Sequence, residues 1–88
     1  MARYRVEFLP RVLRALEKIP KTASGRILRD ALALGDNPHP HGFVKLSGED
    51  DTYRIVVGTY RVLYQIIGGE LLVLVVKIGH RREVYRGL

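Results

Sequence analysis

The stretch from Tyr53 to Tyr85 constrains the fold more than any other. Two glycine breaks, Gly58-Thr59 and Gly68-Gly69, divide it into three strand-length runs: Tyr53 to Val57, Tyr60 to Ile67 and Leu71 to Ile78. The runs are rich in Val, Ile, Leu and Tyr, which suit a pleated, half-buried surface. Gly at the first of two central positions fits a type II′ hairpin, whose twist matches that of the strands it joins. Both breaks read as such turns, so the three runs form an antiparallel meander.

The first turn also sets a register. With Gly58 and Thr59 as the turn, Val57 pairs with Tyr60 and Val56 with Arg61. Paired residues share a face, and faces alternate along each strand. Arg54, Val56, Arg61, Leu63 and Gln65 then lie on one side. Tyr53, Ile55, Val57, Tyr60, Val62 and Tyr64 lie on the other, which is apolar with hydroxyl tips and reads as core. The first side carries two arginines in mid-strand. After the third run, Gly79 delivers His80-Arg81-Arg82-Glu83-Val84-Tyr85-Arg86 to one end of the sheet.

Upstream, Tyr4, Val6 and Phe8 alternate with Arg3, Arg5 and Glu7, a short strand with one buried face. Pro10 fits the first turn of a helix. Val12, Leu13, Leu16 and Ile19 then follow helical spacing. Pro20 closes that helix and opens a second, which runs to about Leu34 with Ile27, Leu28, Ala31, Leu32 and Leu34 as its apolar stripe. Gly35-Asp36-Asn37-Pro38 stops it. The tight link predicts an antiparallel helical hairpin packed on the apolar sheet face. His39 to Gly42 is a loop, Phe43 to Leu46 a short extended segment, and Ser47 to Thr52 an acidic loop. The expectation is one α+β domain over residues 1–88: a strand, a helical hairpin and a three-strand meander, with the first strand joining the same sheet.

Several function classes drop out. Without cysteine there is no disulfide scaffold and no cysteine-based zinc site. No run reaches the roughly 18 apolar residues of a membrane span, and the absence of an apolar leading stretch predicts a cytoplasmic protein. His39 and His41 flank a proline with no third ligand nearby, so they read as loop residues and no metal is expected. Glu49, Asp50 and Asp51 lack calcium-loop spacing. No phosphate-cradling glycine loop, nucleophile elbow or zinc-protease motif is present. What remains is charge. Fifteen Lys and Arg against nine acidic residues give +6 and a pI of about 10.1, which favours nucleic acid or an acidic protein as partner. Most of the cations are arginines, suited to bidentate phosphate recognition. Arg54 and Arg61 on one face, with Arg81 and Arg82 at its end, suit a phosphate clamp. His80 either caps the third strand or titrates, since an unperturbed imidazole near pKa ~6.5 suits proton transfer. Tyr85 either anchors the tail or stacks on a base.

The runs Tyr53-Arg54-Ile55, Gly58-Thr59-Tyr60-Arg61-Val62-Leu63-Tyr64 and Gly79-His80-Arg81-Arg82-Glu83-Val84-Tyr85 together resemble the RelE toxins of bacterial and archaeal toxin–antitoxin systems. The resemblance spans nearly the whole chain, including Lys45-Leu46-Ser47-Gly48. The Tyr-Arg-Val-Leu-Tyr strand is shared with the related ParE toxins, whereas the Gly-His-Arg-Arg-Glu-Val-Tyr tail is more specific to RelE. The resemblance implies a ribosome-dependent, metal-free endoribonuclease that cuts messenger RNA in the ribosomal A site. It needs no cofactor and is neutralised by a cognate antitoxin. Its implied catalytic positions are Arg54, Arg61, Arg81 and Tyr85; His80, chosen for its side-chain chemistry and not by the resemblance, stands in reserve for proton transfer. Beyond what the resemblance carries over, Lys45, Arg82 and Arg86 are expected to contact RNA, and Arg11, Arg14 and Arg29 on the helices to dock to ribosomal RNA. Val56 stands where the family often has a second lysine. Arg54 stands where studied members carry a lysine, and a guanidinium cannot act as a base. The rival implied by the ParE likeness is a non-nuclease toxin that binds DNA gyrase.

Overall fold

Alternation of exposed and half-buried side chains builds β1, Arg5–Phe8. The computed structural model describes residues 3–46 and 51–80. Pro10 opens α1, Pro10–Glu17, and Pro20 sits at the N-cap of α2, Lys21–Ala33. Proline suits a helix start because the missing N–H had no partner there. Four further strands follow: β2, Val44–Lys45; β3, Thr52–Val57; β4, Tyr60–Ile67; and β5, Leu72–His80. They form one sheet in the order β1-β5-β4-β3-β2. Only the β1–β5 pairing is parallel, with Arg5 opposite Leu72 and Phe8 opposite Val75. Thus the first strand does join the meander's sheet, and the extended segment near Phe43 adds a short edge strand to the expected set.

The first turn is as the sequence predicts. Val57 pairs with Tyr60 and Val56 with Arg61. Gly58 has φ 62 and Thr59 does not share a positive φ, which is the type II′ pattern. The second break differs. Ile67 pairs with Leu72, so four residues lie outside the ladder. Gly68–Glu70 form a single 3₁₀ turn and Leu71 closes it at φ 50. Leu71, expected to begin a buried strand, is therefore exposed.

The core lies between the helices and the predicted face of the sheet. Val12 of α1, Ile27 and Ala31 of α2 and Leu34 beyond it pack with Ile55, Val57, Val62, Tyr64, Val73, Val75 and Ile78. Each buried aliphatic side chain contributes about 1.5–3 kcal/mol of transfer free energy. The expected helical stripes are too wide, however: Leu13, Leu28 and Leu32 are 51%, 40% and 51% exposed. A helix lying on a sheet buries only a narrow stripe, and Ile27, Ala31 and Leu34 fill it. Gly35 is fixed by crowding rather than by its φ. A Cβ there would come within 2.7 Å of the Tyr4 carbonyl oxygen, because the Gly35 carbonyl accepts from the Tyr4 N–H at 2.8 Å. Among the described residues no helix is long and apolar enough to cross a membrane.

Candidate nucleic-acid interface

The side of the sheet away from the core can be read rung by rung. One rung carries Val44, Arg54, Leu63 and Lys77 across β2, β3, β4 and β5. The next carries Val56, Arg61 and Gly79. Arg61 therefore has Arg54 and Lys77 as diagonal neighbours on its two sides, each at about 7–8 Å by the usual ladder spacing. Gly79 puts no side chain of β5 beside Arg61. Arg54, Arg61 and Lys77 are all half-buried. Beneath them, Leu63 and Val76 are buried with Leu9, Leu46 and Leu74 packed around them. The cationic stems thus lie on an apolar patch, and at Arg54 burial extends to the guanidinium Nε. Three cations on two adjacent rungs concentrate positive potential, as a polyanion partner requires.

Lys77 owes its place to an irregularity. Leu63 pairs with Lys77 and Tyr64 with Val75, so Val76 has no opposite number and β5 bulges there. Strict alternation from Val75 would turn Lys77 toward the helices. The extra residue reverses the phase, as bulges do when they re-aim a side chain. The bulge is braced from outside: Arg11 Nε donates to the Val76 carbonyl at 2.7 Å. Sequence reasoning missed Lys77. Its one signal was a lone lysine in an otherwise apolar strand.

The remaining candidates are scattered. His80 pairs with Tyr60, their ring centroids 4.2 Å apart, on the helix-covered side of the sheet. The structure therefore does not bring His80 beside Arg61. Lys45 pairs with Tyr53, which also places it on the helix side, exposed at the β2 edge. Arg14 and Arg29 are exposed on the helices, and Arg29 Nε donates to Asp30 at 3.3 Å. Arg11 was expected to dock RNA and here engages the bulge. Arg81, Arg82, Tyr85 and Arg86 lie outside the described residues. Among the described residues no three His, Asp or Glu side chains gather as a metal site would need.

One buried polar group steadies the β2 edge. The Tyr64 hydroxyl donates to the Pro38 carbonyl at 2.7 Å. Burial, and next to it the neighbouring Tyr53, pushes the Tyr64 phenol well above its ordinary pKa. His39, Phe43, Tyr53 and Tyr64 form a run of ring contacts, with centroids 5.1–5.8 Å apart, under the loop that leads into β2.

Comparison with known proteins adds to this geometry. The family model described as "ParE toxin of type II toxin-antitoxin system, parDE" matches residues 6–85. A protein of Escherichia coli described as a RelE-like toxin is 32% identical over 83 residues, covering 92% of this chain and 86% of its own. A protein of Methanocaldococcus jannaschii described as a RelE-type toxin is 28% identical over 87 residues, 96% of this chain and 97% of its own. Among solved structures, the archaeal RelE–RelB complex from Pyrococcus horikoshii superposes with a TM-score of 0.80 at 31% identity. That match covers 93% of this chain and 98% of the other.

Proposed function

The chain belongs to the ParE toxin family of type II toxin–antitoxin systems, and from that premise we propose a ribosome-dependent, metal-free endoribonuclease that cuts messenger RNA in the ribosomal A site. The observation that carries the reading is the diagonal of Arg54, Arg61 and Lys77 on one face of the sheet, with no side chain from Gly79 beside Arg61. Cleavage without a metal uses the RNA's own 2′-hydroxyl as nucleophile on the adjacent phosphorus. The protein must align that attack, see the 2′-hydroxyl proton taken up, stabilise the extra charge of the phosphorane and see the 5′-oxygen protonated as the P–O5′ bond breaks. Preorganised donors aimed at developing charge contribute several kcal/mol to such a step. Arg61 has a paired strand on either side of its backbone and takes the nonbridging oxygens, with Arg54 assisting. Lys77 adds a third cation and, unlike arginine, can hand over a proton. Arg81 is assigned to the leaving oxygen, and Tyr85 to base stacking or to the 2′-hydroxyl. The relatives crystallised with RelB support a cognate antitoxin as protein partner of this chain.

The family model that matches is the ParE one, which favours gyrase binding as a second reading. One comparison separates the two. Purified protein is incubated with programmed ribosomes, and separately with gyrase and plasmid. Cleavage within the A-site codon, lost in Arg61→Ala, is the expected result. Gyrase inhibition without RNA cleavage would replace the nuclease reading.

A further inference from the structure

A cavity of about 240 Å³ opens at the Gly58–Thr59 turn, on the side of the sheet opposite Arg61. The cleavage scheme does not use it. Ala23 and Arg26, one turn apart on α2, face Val57, Gly58, Thr59 and Tyr60 across it. Val57 and Ala23 make the floor apolar. Tyr60 adds an aromatic residue to the lining, its ring centroid 4.2 Å from that of His80 at 32°. Arg26 supplies a cation on the facing wall: its Nη1 lies 4.0 Å from where a Cβ on Gly58 would stand. The volume falls below the ~300–1,000 Å³ of sites that enclose whole ligands, and it suits one planar ring.

We propose that this cavity is a subsite for the nucleotide next to the cleaved phosphate, its base stacked on Tyr60 and its phosphate held by Arg26. The inference rests on reading the open face as the cleavage site. Arg61 and Tyr60 are consecutive residues of β4 and point to opposite faces. They are the first two residues of β4 after the turn. An RNA strand held at Arg61 therefore has only the Gly58–Thr59 turn to cross before it reaches Tyr60. Gly58 offers no side chain in the way, and Thr59 offers only a hydroxyl. An aromatic wall facing an arginine is how single-stranded bases are commonly held. An acidic protein side chain would satisfy Arg26 but leave the aromatic wall unused. His80 then acts as a positioning residue that fixes the Tyr60 ring.

The test is an NMR titration of the whole chain with two 2′-O-methylated, uncleavable RNAs. The dinucleotide spans only the target phosphate, and the trinucleotide adds the neighbouring nucleotide. Arg26→Gln removes the cation and Ala23→Leu fills the floor, and the melting temperature of each variant checks that it is folded. Tyr60 and Thr59 signals are expected to respond to the trinucleotide. Each variant is expected to weaken trinucleotide binding about tenfold, toward the low end of what one stacked base contributes. Dinucleotide binding should stay within about twofold. Equal weakening for both RNAs overturns the inference. So do unmoved Tyr60 and Thr59 signals when the Arg61 signals are saturated, no binding of either RNA at millimolar concentration, or variants impaired only toward the antitoxin. If the length dependence holds but the parent protein does not cut RNA on programmed ribosomes, the cleavage reading fails and the nucleotide site stands. If cleavage depends on Arg61 while both variants bind as the parent does, the subsite fails alone.

Discussion

Arg11→Met tests whether the bulge that aims Lys77 is held from outside. The substitution keeps an apolar stem of similar reach and removes the Nε donor that meets the Val76 carbonyl at 2.7 Å. A hydrogen bond from a charged donor is worth about 1.5–3 kcal/mol. This one is only partly buried, so water recovers a share and about 1–2 kcal/mol is the working figure. For a domain of this size 1 kcal/mol shifts the melting temperature by about 4–8 °C, so the expected fall is about 10 °C by circular dichroism. Cleavage should fall as well, because Lys77 takes its direction from that bulge. Arg14→Met, on an exposed helix position, should change stability by less than about 0.5 kcal/mol. The alternative role for Arg11 is docking to ribosomal RNA. In that case Arg11→Met would melt within about 2 °C of the parent, while ribosome binding weakened and lost part of its salt dependence. That pattern would refute the bracing argument.

Arg61→Ala should lower the single-turnover cleavage rate at saturating ribosome by about 100-fold or more while ribosome binding stays near normal. Arg14→Ala and Arg29→Ala should do the reverse, and near-normal cleavage by Arg61→Ala would show that the open face is not the active site. Gly35→Ala should destabilise the fold by about 1–3 kcal/mol, because its Cβ would stand 2.7 Å from a backbone oxygen, and an unchanged melting temperature would contradict that crowding. Tyr64→Phe should cost about 1–2 kcal/mol at neutral pH, since the Pro38 carbonyl loses its donor. Its pH dependence has a definite sign. The folded-state pKa is raised by burial, so both states are neutral below the unfolded value of about 10 and the stabilisation is complete there. Above pH ~10 the unfolded chain ionises first and stability is lost, so denaturation midpoints should decline from that pH in the parent and decline less steeply in Tyr64→Phe.

Gly58 made the register legible, because a two-residue turn leaves one way to pair the strands on either side of it. That register gave the faces of β3 and β4 and placed Arg54 with Arg61. It stopped short of β5, where period-two reasoning assumes one residue opposite one. Nothing in Val75-Val76-Lys77 marks an extra residue, so the reversal that brings Lys77 to the face was invisible. The same reasoning could not assign a side to His80, whose pairing with Tyr60 is set by the ladder beyond the bulge. Leu28 and Leu32 lie on the apolar stripe yet are exposed, because helical spacing identifies a stripe but not how much of it a flat sheet can cover. Leu71, the last residue of the four-residue loop at Gly68, is apolar like the strand it precedes, so the sequence does not mark where β5 begins.

The parallel pairing of β1 with β5 has a consequence in time. Residues 5–8 leave the ribosome early, yet their strand partner is residues 72–75. At about 5–20 residues per second, β1 waits roughly 3–13 s for that partner to be synthesised. Until then the sheet lacks β5, the strand that joins β1 to the rest, and with it Lys77 and Gly79 beside Arg61. A toxin aimed at ribosomes, as proposed above, is thus inert while its own ribosome is still adding residues to it. The order in which the strands are born acts as a delay built into the topology, and an antitoxin already present has that interval in which to meet the chain before it is armed.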